Sequence, residues 1–65
     1  MKDLKAELER LLAQAEDCEL ISKLAIDPDK RIAFRRLSEQ FHDMADDIQR
    51  VIDAKLAGDA TTLGG

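Results

Sequence analysis

Cysteine and proline each occur once in these 65 residues, phenylalanine twice, and tryptophan and tyrosine not at all. With Cys18 alone, no intrachain disulfide can form, and no paired Cys or His spacing suggests a structural zinc ion. Apolar runs long enough to span a bilayer are also missing. The opening Met1-Lys2-Asp3-Leu4-Lys5 mixes charge with apolar residues and has none of the continuous apolar stretch of a signal peptide. A cytoplasmic location without a membrane partner is therefore expected. Nor is there a surplus of basic charge. The net charge is −4, with four basic and six acidic groups in residues 1–26 and six and seven in residues 27–58. Neither half is a polycation able to neutralise phosphates, so nucleic acid is not an expected partner. A chain of this length forms one domain at most, in a size range where a disulfide, a metal or a partner usually supplements the core. Association is the supplement left to it.

What the sequence does contain is helical periodicity. Leu4, Leu8, Leu11, Ala15, Cys18, Ser22 and Ala25 recur at alternating steps of four and three, with Leu12 and Ile21 widening the stripe. Phe34, Leu37, Phe41, Met44, Ile48 and Val51 repeat the pattern, flanked by Ala45 and Ile52. Between the two stripes stands Asp27-Pro28. Proline lacks an N–H and has a fixed φ, which suits the first position of a helix, and Asp27 before it reads as the N-cap. Proline also drives its predecessor out of the α region, ending the first helix near residue 25.

The expected fold is all-α. It is an antiparallel two-helix hairpin over residues 1–58, with one helix over about 3–25, a turn at 26–28 and a second helix over about 28–57. Gly58 would be the C′ residue, and residues 59–65 a flexible tail. Folding at the proline sets opposite each other positions whose numbers sum to about 55. Phe34 then meets Ser22, Leu37 meets Cys18 and Phe41 meets Ala15, large against small. Farther from the turn, Leu11, Leu8 and Leu4 meet Met44, Ile48 and Val51. The expected core and interaction seam is thus Leu8, Leu11, Leu12, Ala15, Cys18, Ile21, Phe34, Leu37, Phe41, Met44, Ile48, Val51 and Ile52.

Four charge pairs spaced by four residues, Lys5 with Glu9, Glu19 with Lys23, Arg35 with Glu39 and Asp46 with Arg50, suit exposed helix faces. Lys30, Arg31, Arg35 and Arg36 cluster beside the turn and form a possible anion patch. The plainer reading is that they pair with Asp27, Asp29 and Glu39 and cover the carbonyl end of the first helix.

Several elements, Ala15-Glu16-Asp17-Cys18, Asp27-Pro28, Arg31, Phe34, Leu37-Ser38-Glu39, Phe41 and Met44-Ala45, together resemble a recurrent type of small alphaproteobacterial protein. In that type an Ala-Glu-x-Cys element is followed by an Asp-Pro turn and an aromatic-rich second helix. The likeness covers about half the chain and implies a helical hairpin with no agreed activity.

Chemistry-bearing constellations are sparse. Glu39-x-x-His42 has the spacing of the carboxylate and imidazole ligands in di-iron bundles, yet both residues point away from the seam, so an ordinary solvated face is expected and no metal. Cys18 lies on the seam, where a thiol acts as a small apolar residue. There is no Ser/His/Asp set, no glycine-rich phosphate loop and no inward pair of carboxylates, so neither catalysis nor a cofactor is expected. The function expected is interaction or scaffolding as a homodimeric four-helix bundle. The alternative is a docking module in which Leu12, Leu20, Leu24 and Ile52 receive a helix from a different protein.

Overall fold

The computed structural model describes the backbone of residues 2–62 and the side chains of residues 2–57. Two helices, α1 (Lys2–Leu24) and α2 (Pro28–Thr62), pack side by side and run antiparallel, and no strand occurs among the described residues. The turn follows the expected chemistry. The Asp29 N–H donates to the Asp27 carboxylate at 3.1 Å, and the Arg31 N–H donates to the Asp27 carbonyl at 3.0 Å. Asp27 is thus the N-cap and Pro28 the first helical residue, where its missing N–H costs nothing. On the other side the Ala25 N–H donates to the Ile21 carbonyl at 2.9 Å, closing α1.

Helix α2 runs on to Thr62, past the end expected near residue 57. No glycine among the described residues takes a positive φ, so Gly58 is carried through as helix and does not serve as a left-handed terminator. Of the expected tail, residues 63–65 lie outside the described residues.

The inner face of α1 is the one its periodicity predicts. Leu11, Ala15 and Cys18 are buried, with Leu4, Leu8, Ser22 and Ala25 half-buried around them. On α2 the inner line differs from the expected seam. It runs through Phe34, Ser38, Phe41, Ala45, Ile48 and Ile52, with Ser38, Ala45 and Ile52 buried. Leu37, Met44 and Val51 are 38%, 43% and 42% exposed and lie beside the core, and so do Leu12 and Ile21 on α1. The expected seam and the observed line share Phe34, Phe41, Ile48 and Ile52, and Ala45 is an expected flank; they differ in that Ser38 and Ala45 hold the contact line in place of Leu37 and Met44, each one residue on and 100° around the helix.

Small side chains account for that choice. Ala15 and Ala45 are 0% and 1% exposed, and Cys18 and Ser38 lie on the same contact line. Placing Leu37 and Met44 inward would hold the axes apart, whereas Ser38 and Ala45 let the backbones approach. Close approach permits a cross-helix bond: the buried Ser38 hydroxyl donates to the Ala15 carbonyl at 3.0 Å. Nearer the turn the Ser22 hydroxyl donates to the Arg31 carbonyl at 2.7 Å. The residue numbers sum to 53 in both pairs, close to the value of about 55 expected for a hairpin folded at the proline. Ile52 is thereby level with the start of α1, and the rest of α2 projects beyond it.

The result is a slab. Its principal extents are 55 × 16 × 11 Å and its radius of gyration is 15.9 Å, against about 11 Å for a compact domain of this length. Among the described residues no large side chain is fully buried. The accessible surface of 5114 Å² exceeds by roughly 900 Å² that of a compact protein of the same mass.

Two substitutions separate the contact line from the surface. Ala15→Leu should lower unfolding stability by about 1–3 kcal/mol through overpacking, whereas Ala13→Leu, on an exposed face, should stay within about 0.5 kcal/mol of the parent. Urea midpoints of the two variants, read by circular dichroism, check the difference; equal midpoints would contradict the contact line.

Candidate interaction surface

Because α2 turns Ser38, Ala45 and Ile52 inward, three of its spare apolar residues fall on one broad face of the slab, while Ile32 and Leu56 are exposed elsewhere. Leu37, Met44 and Val51 recur every seven residues there, flanked by the half-buried rings and side chains of Phe41 and Ile48. From α1, Ile21 is on the same side, 39% exposed. Between the helices the face carries a groove floored by Leu11, Phe41, Met44 and Ile48, with Glu7, Arg10, Gln14 and Asp47 on its rim. Two ion pairs dress that rim. Arg10 pairs with Glu7, whose hydrogen bond and charge raise the arginine's pKa further above its ordinary value, and Arg50 pairs with Asp47 at 3.1 Å. A single residue type of this kind, a large aliphatic every seventh position between charged rims, is the surface a second helix packs against.

Of the alternative docking flank, Ile52 is buried in the contact between α1 and α2, whereas Leu12, Leu20 and Leu24 are exposed on α1, Leu20 and Leu24 one turn apart. Ile26, in the turn, is 96% exposed and Ile32 half exposed, both apart from the Met44 face.

The opposite broad face is polar toward the turn, whereas toward the free end of α2 it carries a groove lined by Lys2, Lys5, Leu8, Gln49, Ile52 and Leu56. Glu19, Ser22, Lys23, Arg35, Ser38, Glu39 and His42 line one groove, and Ser22, Lys23, Pro28, Arg31, Ile32 and Arg35 line another that adjoins it at the turn end. The basic cluster is divided accordingly. Arg31 and Arg35, one helical turn apart, share a groove with Lys23, whereas Lys30 and Arg36 are exposed elsewhere on α2 and line neither groove. The expected pairing of the cluster with Asp27, Asp29 and Glu39 is not formed. Among the described residues ion pairs join only Arg10 to Glu7, Lys23 to Glu19 at 3.3 Å and Arg50 to Asp47. The Asp27 carboxylate is occupied instead as the cap of α2. Of the four expected pairs spaced by four residues, Glu19 with Lys23 forms; Arg50 takes Asp47 in place of Asp46.

Glu39 and His42 are both exposed, on the rim of the polar groove beside Glu19. No group of three potential metal donors gathers among the described residues. Cys18 is a free, buried thiol on the contact line between the helices, and no helix among the described residues is long and apolar enough to cross a membrane.

Ser38 was the functional residue the sequence pattern did not single out on its own. Reading α2 by size favours Leu37, Met44 and Val51 as the inner set; the alternative Ser38, Ala45 and Ile52 has the same spacing and is the smaller. The signal lay in the small residues of α1, Ala15, Cys18 and Ser22, which match small partners when two helices come close.

Burial of Cys18 should slow its reaction with a thiol reagent by at least about a hundredfold relative to the urea-unfolded chain, because labelling awaits opening of the hairpin. Labelling as fast as in urea would place the thiol outside. Added zinc should leave the thermal midpoint of the parent and of His42→Ala unchanged; a zinc-dependent rise abolished in the variant would establish a site at Glu39 and His42. No protein-family profile, curated protein or solved structure matches this chain.

Proposed function

We propose that the chain is a non-enzymatic interaction module, working in the cytoplasm, whose hairpin pairs with a second copy to form a four-helix bundle that serves as a scaffold. The observation that carries this reading is the heptad of exposed aliphatics, Leu37, Met44 and Val51, beside half-buried Phe41 and Ile48. Layered domains bury each helix stripe against another element, and a slab 11 Å thick has a single layer. A two-fold axis through the Met44 face would set the same patch against itself, matching aliphatic heptad to aliphatic heptad with the charged rims outside. The likeness to the alphaproteobacterial hairpins agrees with a helical scaffold and adds no activity to it.

Sedimentation equilibrium across a dilution series, with helicity followed by circular dichroism, tests the reading. A dimer is expected, and Leu37→Glu or Met44→Glu should weaken it by about a hundredfold or more, since each pairing would bury an unpartnered carboxylate. A stable helical monomer at every concentration would overturn self-association. A poorly helical monomer would assign the Met44 face to a helix of a different protein.

A further inference from the structure

The groove at the turn end is chemically unlike the rest of the molecule. Three cations line it, Lys23 from α1 and Arg31 and Arg35 from α2, and no carboxylate does, in a chain whose net charge is −4. Arg31 and Arg35 have no ion-pair partner among the described residues. Asp27 caps α2 and Glu19 holds Lys23 at 3.3 Å from the adjoining groove, while Asp29 and Glu39, the carboxylates nearest Arg31 and Arg35 in sequence, pair with neither arginine. Ser22, at the floor, commits its hydroxyl hydrogen to the Arg31 carbonyl, which fixes the helix bearing both arginines against α1. Pro28 and Ile32 supply an apolar wall beside the charges, and Ile32 is half exposed.

From this arrangement we propose that the groove binds a small organic phosphate, its phosphoryl group held among Lys23, Arg31 and Arg35 and its apolar body laid on Pro28 and Ile32. Two guanidinium forks one helical turn apart can each donate paired hydrogen bonds to phosphate oxygens, with the lysine as a point charge across the groove. A phosphomonoester carries roughly −1.5 to −2 at neutral pH, which three cations offset while Glu19 retains its hold on Lys23. A bare carboxylate would leave more of that positive charge uncompensated. The site is independent of the self-association proposed above, because the turn-end groove and the Met44 groove share no residue. Each dimer would carry two such sites, open to solvent.

Phenyl phosphate titrated into the full chain, with amide chemical shifts and heats read together, is the test. Saturable binding is expected, with the shifts concentrated at Ser22, Lys23 and residues 31–35. The double variant Arg31→Gln/Arg35→Gln should bind about tenfold more weakly or worse, as loss of charged hydrogen bonds implies. Lys30→Gln/Arg36→Gln removes the same charge outside the groove and should bind as the parent does. Inorganic phosphate, lacking a body for Pro28 and Ile32, should bind more weakly than phenyl phosphate. Absence of saturation, an equal loss in both double variants, or equal affinity for inorganic phosphate would each overturn the proposal. All substituted residues are exposed, so each variant should remain helical, which far-ultraviolet circular dichroism checks. Sedimentation of the same samples separates a failure here from a failure of dimerisation.

Discussion

The two helices can approach because a file of small side chains, Ala15 and Cys18 on α1 and Ser38 and Ala45 on α2, occupies the line between them. Once the backbones are that close, the Ser38 hydroxyl reaches the Ala15 carbonyl, and a polar side chain is buried with its donor satisfied. No buried side-chain nitrogen or oxygen among the described residues lacks a partner. The second hydroxyl, Ser22, repeats the bond nearer the turn, so the register of the hairpin is fixed at two points along its length. Apolar burial by itself tolerates sliding along a heptad, whereas a directional bond does not.

Everything on the surface follows from that line. With the small residues of α2 turned inward, the large ones at Leu37, Met44 and Val51 are turned to one side, and Arg35 and His42 to the other. The slab therefore has an apolar face with a charged rim and a second face that is charged toward the turn and apolar around Leu8, Ile52 and Leu56. Surface ion pairs such as Lys23 with Glu19 contribute little to stability, about 0.5 kcal/mol at a helix spacing of four. Their importance lies in which charges they leave over, and beside the turn those are Lys30, Arg31, Arg35 and Arg36, of which Arg31 and Arg35 line the turn-end groove.

Much of the architecture was legible because it rests on strong local signals. Asp27-Pro28 fixes where α1 stops and α2 starts, and the alternation of four and three from Leu4 to Ala25 fixes the inner face of α1. The inner face of α2 was harder to read. Phe34, Phe41 and Ile48 are common to two stripes of equal period, and hydrophobicity ranks the stripe of Leu37 and Met44 first. The structure takes the other, because packing two helices rewards complementary shape along with apolar character. The division of Lys30, Arg31, Arg35 and Arg36 between faces was implicit in helical geometry, since residues one turn apart share a face and immediate neighbours do not. Which carboxylates would neutralise them was not implicit, because Asp27 had a second use as a cap.

The unequal lengths of the helices give the molecule two kinds of thermal behaviour. Helix α2 is twelve residues longer than α1, and the ten residues beyond the level of Ile52 give an overhang of about 15 Å. The paired part loses its structure together, since the same contacts hold both helices. Past Leu56, which still shares a groove with Lys2, Lys5 and Leu8, the helicity of the overhang rests on residue propensity and on the turns already formed below it. It should unwind from its free end as temperature rises, before the paired part gives way. Helicity should thus decline along a sloping native baseline, and the heat absorbed over that slope belongs to a segment that contributes almost nothing to the sharp transition following it.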